Sequence, residues 1–446
     1  MFWTSLASAG PTVVPTAEGQ IGTVPSTGDS IEGVRFESIR GQAGDLIFGG
    51  LITFGGAMPP PPEFQFIADR IHEIPNPFPV DAISSPFVAV SKQAAASSRV
   101  RNAADDGDFV AFSFAVDGAM PETMTVRIAT FDESGSSLVE VPVGTVDIFP
   151  FDASSHRTGV AIDDQGRATV TYVEFQTTPS PTLEVRASRV DGQNGTIIDP
   201  DFLITGAGST PDVALLDPSG NRLVVAYSTG NVFARTVDFT GPSPVVLPEF
   251  PIPTTPAFFN AIPAVAADSS TGEFTVVWES LNNDVTDPVN IRGRRFDAMG
   301  NPVGVDFQIN TTTPGAQGQP AVAYGPNGNS AIVWAADGAG PENLDVFLQV
   351  YDAQGNPIGT EVPVNTSTTG VQDRPAVRFL PEPDGQGRPQ VAVVWRDVGS
   401  TDGTQPNGTG RSYRCFSIDG LNPADPAIFA DGFETGDTTS WSDEQP

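Results

Sequence analysis

The chain holds few residues suited to covalent chemistry, and the shortage narrows the reactions open to it. There are two histidines, His72 and His156, one lysine, Lys92, and one cysteine, Cys415. A single cysteine excludes an intramolecular disulfide, a CxxC redox pair and a thiolate zinc site. No GxSxG elbow, HExxH or GxxxxGK[ST] loop occurs. A serine hydrolase would need His72 or His156; His156 lies in Ser154-Ser155-His156-Arg157, just before a strand start that can face a propeller's central opening, and a lone histidine there reads first as a surface residue. Carboxylates are plentiful, at 54. Two of them set several ångströms apart on inner strands can hydrolyse a glycoside. Asp212, inside the run Pro211-Asp212-Val213, and Asp373, beside Arg374, are the candidates.

Two acidic turns are candidate calcium sites, since clustered oxygens suit that ion. One contains Asp105, Asp106 and Asp108, the other Asp163 and Asp164. Neither fits an EF-hand, and Asp-Gly turns are common between strands. No other cofactor is expected. A third group flanks the start of a recurring strand and changes from copy to copy: Arg99, Arg157, Thr210, Ile262, Gln319 and Arg374. Variable polar residues around one rim are what a binding face uses. Its three arginines would suit a carboxylate or sulfate group. Arg99, Arg157, Gln319 and Arg374, with Asp212 and Asp373, are the candidate ligand-binding residues.

The elements that must position these residues repeat along the chain. IPAVAADSSTGEFTVVWES opens one copy at Ile262, QPAVAYGPNGNSAIVWAAD the next at Gln319, and RPAVRFLPEPDGQGRPQVAVVWRD a third at Arg374. Weaker copies begin near Arg99, Arg157 and Thr210. Each has Pro-Ala-Val or its remnant, a Gly turn, a β run ending in an aromatic, a further β run and an Asp-Gly turn. The aromatics Phe114, Tyr172, Tyr227, Trp278, Trp334 and Trp395 mark a period of about 50–60 residues. Four short strands per period make one twisted sheet that cannot bury both faces alone, so the copies must stack. The fold class expected is all-β: a β-propeller of six to seven four-stranded antiparallel blades. The aromatics should fill the gaps between blades.

The ends are less regular. Residues 1–30, rich in Gly, Pro, Ser and Thr, read as disordered, with Met1–Gly10 a candidate signal remnant. Residues 31–98 read as a degenerate blade, the propeller runs over 31–420, and 421–446 form a tail. Ring closure is open between Ala427–Ala430 and a strand near Val34–Phe36.

Two resemblances bear on placement. Phe296-Asp297-Ala298-Met299-Gly300-Asn301-Pro302-Val303-Gly304 resembles the strand ending of a repeat found in large secreted bacterial proteins, where it forms propeller-like arrays. The stretch from Ile428 to Ser442, IFADGFETGDTTSWS, resembles a tail carried by many exported bacterial proteins. The resemblances imply export or surface placement.

Charge sets the partners. A formal net charge of -32 repels phosphate backbones, so nucleic acid is excluded, and no apolar run is long enough to span a membrane. A secreted or cell-surface monomer that binds an extracellular protein or glycan without catalysis, a binding or scaffold module, is the first expectation. A propeller hydrolase acting on glycans is the second.

Overall fold

A computed structural model describes the strands within residues 12–147, and residues 158–419 apart from 177–181, 283–287, 312–314, 339–342, 367, 381–383, 385 and 399–408. Apart from one 3-10 turn at Pro326–Gly328, these residues form strands, turns and connecting loops. The strands fall into consecutive antiparallel groups. Four-stranded sheets span residues 30–83, 96–147, 159–205 and 259–308. In the group at 209–251 the fourth strand is split into two short pieces, Val245–Val246 and Phe250–Pro251, both paired with Val232–Asp238. The groups at 317–363 and 371–419 join into one eight-stranded sheet through a single parallel bridge, Leu344 to Val371. No helix among the described residues is long and apolar enough to cross a membrane.

The first strands of the groups pack side by side. They are Ser30–Ser38, Ala96–Arg101, Gly159–Ile162, Ser209–Leu215, Phe259–Ala267, Gln317–Tyr324 and Val371–Phe379. Each lies against the next, and Val371–Phe379 lies against Ser30–Ser38. The succession therefore returns on itself, with later strands of each group stepping outward, which is the layout of a β-propeller.

The last group has only three strands of its own. Its fourth is Thr12–Gln20, paired antiparallel with Thr409–Asp419 from Thr12 opposite Asp419 to Gln20 opposite Ser412. This corrects the expectation that residues 1–30 are disordered throughout. It also answers the closure question differently from both sequence candidates. Val34–Phe36 belongs to the first strand of the 30–83 sheet, and Ala427–Ala430 lies outside the described residues. Averaged over thirty residues, the turn-rich composition hides a nine-residue strand whose partner is at the far end of the chain.

The aromatics that end the second strands do what their spacing implied. Tyr172, Tyr227, Trp278, Trp334 and Trp395 are buried. Trp278 sits among Val232, Ala234 and Ile252 of the preceding sheet as well as Val265 and Phe274 of its own. Trp334 likewise packs with Ala264, Ile291 and Ile309 of the sheet before it. Second strands such as Ser330–Asp337 are buried on both faces, so they read as unbroken apolar runs.

Cys415 shares this interior. It is 1% exposed, and burial pushes its thiol up to about 12. A buried neutral thiol is unreactive because the thiolate is the nucleophile. The native protein is expected to ignore a thiol reagent at neutral pH and to take up one equivalent when unfolded in urea. Rapid labelling of the native form would contradict the buried placement.

Candidate functional site

First strands start, second strands end and third strands begin at one end of the ring, and there the sheets share an irregularity. Four first strands carry a β-bulge at the residue before a proline: Thr210-Pro211, Ile262-Pro263, Gln319-Pro320 and Arg374-Pro375. Each adds one residue relative to the neighbouring second strand. The four residues have φ of 48°, 49°, 56° and 53°, the left-handed region. A residue before proline prefers extended backbone, and a β-branched residue rarely turns left-handed. Proline suits the bulge itself, since it has no N–H to give to the ladder.

The bulge turns the backbone N–H away from its own sheet and toward the neighbouring one. The Gln319 N–H donates to Glu279 Oε1 of the preceding sheet at 2.7 Å. The Arg374 N–H donates to the Gln319 Oε1 at 2.6 Å. A relay of hydrogen bonds thus crosses three consecutive sheets. Thr210 shows the cost of the arrangement: its buried Oγ1 has no hydrogen-bond partner. Thr210→Gly removes that orphan and a left-handed strain of about 1–2 kcal/mol, against roughly 0.4–1 kcal/mol of added chain entropy in the unfolded state. The variant is expected to melt at a higher temperature than the parent, and a fall in Tm would count against strain at this position.

Between the sheets at 259–308 and 317–363, at this same end, lies a cavity of about 170 Å³. It is lined by Glu279, Gln317, Gly318, Gln319 and Asp337, with Val289 and Leu344 as apolar walls. Glu279 is half-buried and fixed by the Gln319 N–H. Asp337 is exposed, and its Oδ2 accepts the Ala316 N–H at 2.8 Å. Two glycines make room for these carboxylates. A Cβ on Gly318 would stand 3.1 Å from Glu279 Oε1, and one on Gly315, at φ +93°, would stand 2.7 Å from the Asp337 Cβ. Two carboxylates from adjacent sheets, each seated on a backbone amide, therefore face one cavity larger than a single water requires. That is the equipment of acid–base chemistry on a hydroxyl or glycosidic oxygen.

The residues picked out in the sequence are distributed as follows. Gln319 lines the cavity, and Arg374 is bonded to it through its backbone. Asp212 and Asp373 are not brought together. Their strands are separated in the ring by Phe259–Ala267 and Gln317–Tyr324. Asp212 Oδ2 accepts the Val265 N–H of the next sheet at 2.9 Å. Asp373 is held by the Arg396 guanidinium through two bonds of 2.6 Å. Arg99 lies on the strand Ala96–Arg101, its side chain outside the described part, while Arg157 and His156 lie outside the described residues altogether.

The acidic turns are accounted for by their own backbone and neighbouring arginines. Asp163 is buried; Oδ1 accepts the Gln165 and Arg167 N–H groups, and Oδ2 accepts Arg167 Nε at 2.7 Å and Arg189 Nη2 at 2.8 Å. Burial, together with the Asp163 charge, pushes the Asp164 carboxyl up from its ordinary range. Asp105 and Asp106 fall outside the described residues, and so does the side chain of Asp108. Among the described residues no group of three His, Cys, Asp or Glu side chains is placed to hold a metal ion.

Sequence reasoning missed Glu279 and Asp337. A signal existed for the first: Glu279 directly follows Trp278 within the run FTVVWES, and a charge inside a buried strand is itself informative.

The molecule is thus a β-propeller with a carboxylate-lined cavity at the end where its first strands begin. No family model and no curated protein matches the sequence. Solved structures do resemble it. An α-L-arabinanase from Penicillium chrysogenum, solved with arabinobiose, is 13% identical with a TM-score of 0.44, over 90% of this chain and 98% of that one. An α-L-arabinofuranosidase from Fusarium graminearum, solved with an iminosugar inhibitor, is 11% identical with a TM-score of 0.42, over 72% and 92%. A protein of unknown function from Dyadobacter fermentans is 9% identical with a TM-score of 0.48, over 91% and 99%. At these identities no substrate carries over. The first functional expectation, a binding or scaffold module without catalysis, is not what these neighbours are: two of the three are enzymes.

Proposed function

We propose that this chain is a glycoside hydrolase on a β-propeller of seven four-stranded blades, the last blade completed by Thr12–Gln20. The observation that carries the activity is the pair Glu279 and Asp337, contributed by neighbouring blades to one cavity. Glycosidic cleavage needs two carboxyl groups in different roles. Glu279, whose orientation is fixed by the Gln319 N–H, is the carboxylate that attacks the sugar or activates water. Asp337, at the exposed mouth, is the group that protonates the leaving oxygen. The Val289 and Leu344 walls offer apolar surface to the face of a sugar ring. The seven-blade count rests on the closed succession of first strands and on the three-plus-one composition of the last group. Placement outside the cell belongs to the same reading and rests on the two sequence resemblances alone.

The test is turnover. Purified protein is incubated with aryl glycosides and with neutral and acidic oligosaccharides, arabinose-containing ones included, and new reducing ends are measured. Release of a sugar from at least one class is the expected result. Silence across the panel from a folded, monodisperse preparation sinks the hydrolase reading.

A further inference from the structure

Three sheets carry a buried side-chain amide at the same place, two residues before the bulge: Asn260, Gln317 and Gln372, each 5% exposed or less. Opposite them in the strand register stand Ser280, Ala336 and Asp397. The Trp278 indole N–H donates to Asn260 Oδ1 at 3.0 Å, and the Trp334 indole N–H to Gln317 Oε1 at 3.1 Å. An indole N–H can only donate, so it fixes which end of the amide faces it. The amino ends differ. Asn260 Nδ2 donates to Asn231 Oδ1 at 2.9 Å. Gln372 Nε2 donates to Thr369 O and to Asp397 Oδ1, both at 3.0 Å. Gln317 Nε2 has no hydrogen-bond partner. The difference from the last sheet is one residue: Ala336 stands where that sheet has Asp397, and a methyl group accepts nothing. Gln317 is also the one of the three amides that lines the cavity with Glu279 and Asp337.

A buried donor without an acceptor is costly, so each one asks for a reason. We infer that Gln317 is a specificity residue of the cavity: its Nε2 donates a hydrogen bond to a hydroxyl oxygen of an uncharged sugar unit seated there. That the hydroxyl belongs to a sugar rests on the hydrolase reading; that the ligand atom is a neutral hydroxyl follows from the lining. An amide N–H disfavours a cation, and two carboxylates repel an anionic oxygen. A hydroxyl satisfies both sides, because its oxygen accepts from the amide while its hydrogen goes to a carboxylate. Held by Trp334, the amide cannot turn over to offer its carbonyl instead. A site built around such a donor also rejects a ligand that lacks the hydroxyl, since the donor is then left buried and unpaired.

Equilibrium binding separates this inference from the catalytic one. Neutral arabino-, xylo- and galacto-trisaccharides are titrated calorimetrically into the intact protein, with a galacturonate trisaccharide and calcium chloride as the charged probes. Any trisaccharide that the protein cleaves is replaced by its sulfur-linked analogue. The intact protein should bind at least one neutral trisaccharide, and bind it more tightly than either charged probe. Gln317→Met, close to glutamine in size, should weaken that binding about tenfold. It leaves the Trp334 N–H without its acceptor, a state the fold already tolerates at Trp395, whose indole N–H has no partner. Ala336→Asp, which installs the acceptor found in the last sheet, should weaken binding likewise with Gln317 still in place, and it decides the matter if Gln317→Met does not fold. Unchanged affinity in folded Gln317→Met, tighter binding of galacturonate or calcium than of any neutral sugar, or no binding across the panel overturns the inference. Turnover together with unchanged affinity in folded Gln317→Met removes this inference alone. Gln317-dependent binding of a neutral sugar without any turnover removes the hydrolase reading and keeps this one.

Discussion

Glu279→Gln is expected to lower glycoside turnover by at least about 100-fold while leaving the melting temperature close to that of the parent. The substitution is nearly isosteric, so the side chain keeps its place beside Gly318, and its carbonyl oxygen still accepts the Gln319 N–H. What it loses is the charge and the basicity that attack or water activation needs. Asp337→Asn should also lose turnover. Its effect should be smallest on substrates with good aryl leaving groups, which need little protonation. That contrast tests the assignment of roles. A Glu279→Gln protein as active as the parent would remove the cavity from consideration as the catalytic site.

The largest stability effect is expected at the opposite end of the ring. Asp163 ties the 159–205 sheet to the turn of the next one. Beyond its own bonds to Arg167 and Arg189, Arg167 Nη2 donates to Ser219 O at 2.6 Å and Arg189 Nη2 to Gly220 O at 2.9 Å. The Arg189 side chain is 4% exposed, its guanidinium lies 4.3 Å from the centre of the Phe239 ring, and burial pushes its pKa down. Removing the carboxylate strands a cation in the interior, which costs about 3–5 kcal/mol. Asp163→Ala should therefore shift the urea midpoint far below that of the parent. The double variant Asp163→Ala/Arg189→Met should recover much of the loss, since no charge is then left unpaired. A single-variant loss under about 1 kcal/mol would show that water reaches this site.

Sequence reading succeeded where the information was local and periodic. The strand-two aromatics and the Asp turns follow from alternation and turn chemistry. The structure shows each Asp turn in the same detail: Asp297 and Asp352 both accept the N–H groups two and four residues on and the side chain of the Asn that ends the turn. The bulges were not legible, because a left-handed residue before proline runs against the preference of both residues. The cavity was not legible either. It depends on which second-strand residue of one sheet meets which first-strand residue of the next, a register that one chain's pattern does not encode. Trp278 and Trp334 show how near the sequence came: each indole N–H donates to the amide two residues before the bulge, Asn260 and Gln317, a pairing visible only once the strands are aligned.

The pairing of Thr12–Gln20 with Thr409–Asp419 has a consequence for biosynthesis. Thr12–Gln20 leaves the ribosome before its partner exists, and that partner is made only after the intervening sheets. At about 5–20 residues per second, the intervening chain takes roughly 20–80 s to emerge. Throughout that interval the nascent protein presents two unpaired edges, one at each end of a growing arc, and such edges invite association with other chains. Completion is then a single late, long-range event, slow for topological reasons. The yield of protein in the cell should depend on whatever shields those edges during translation, more than on the stability of the finished ring.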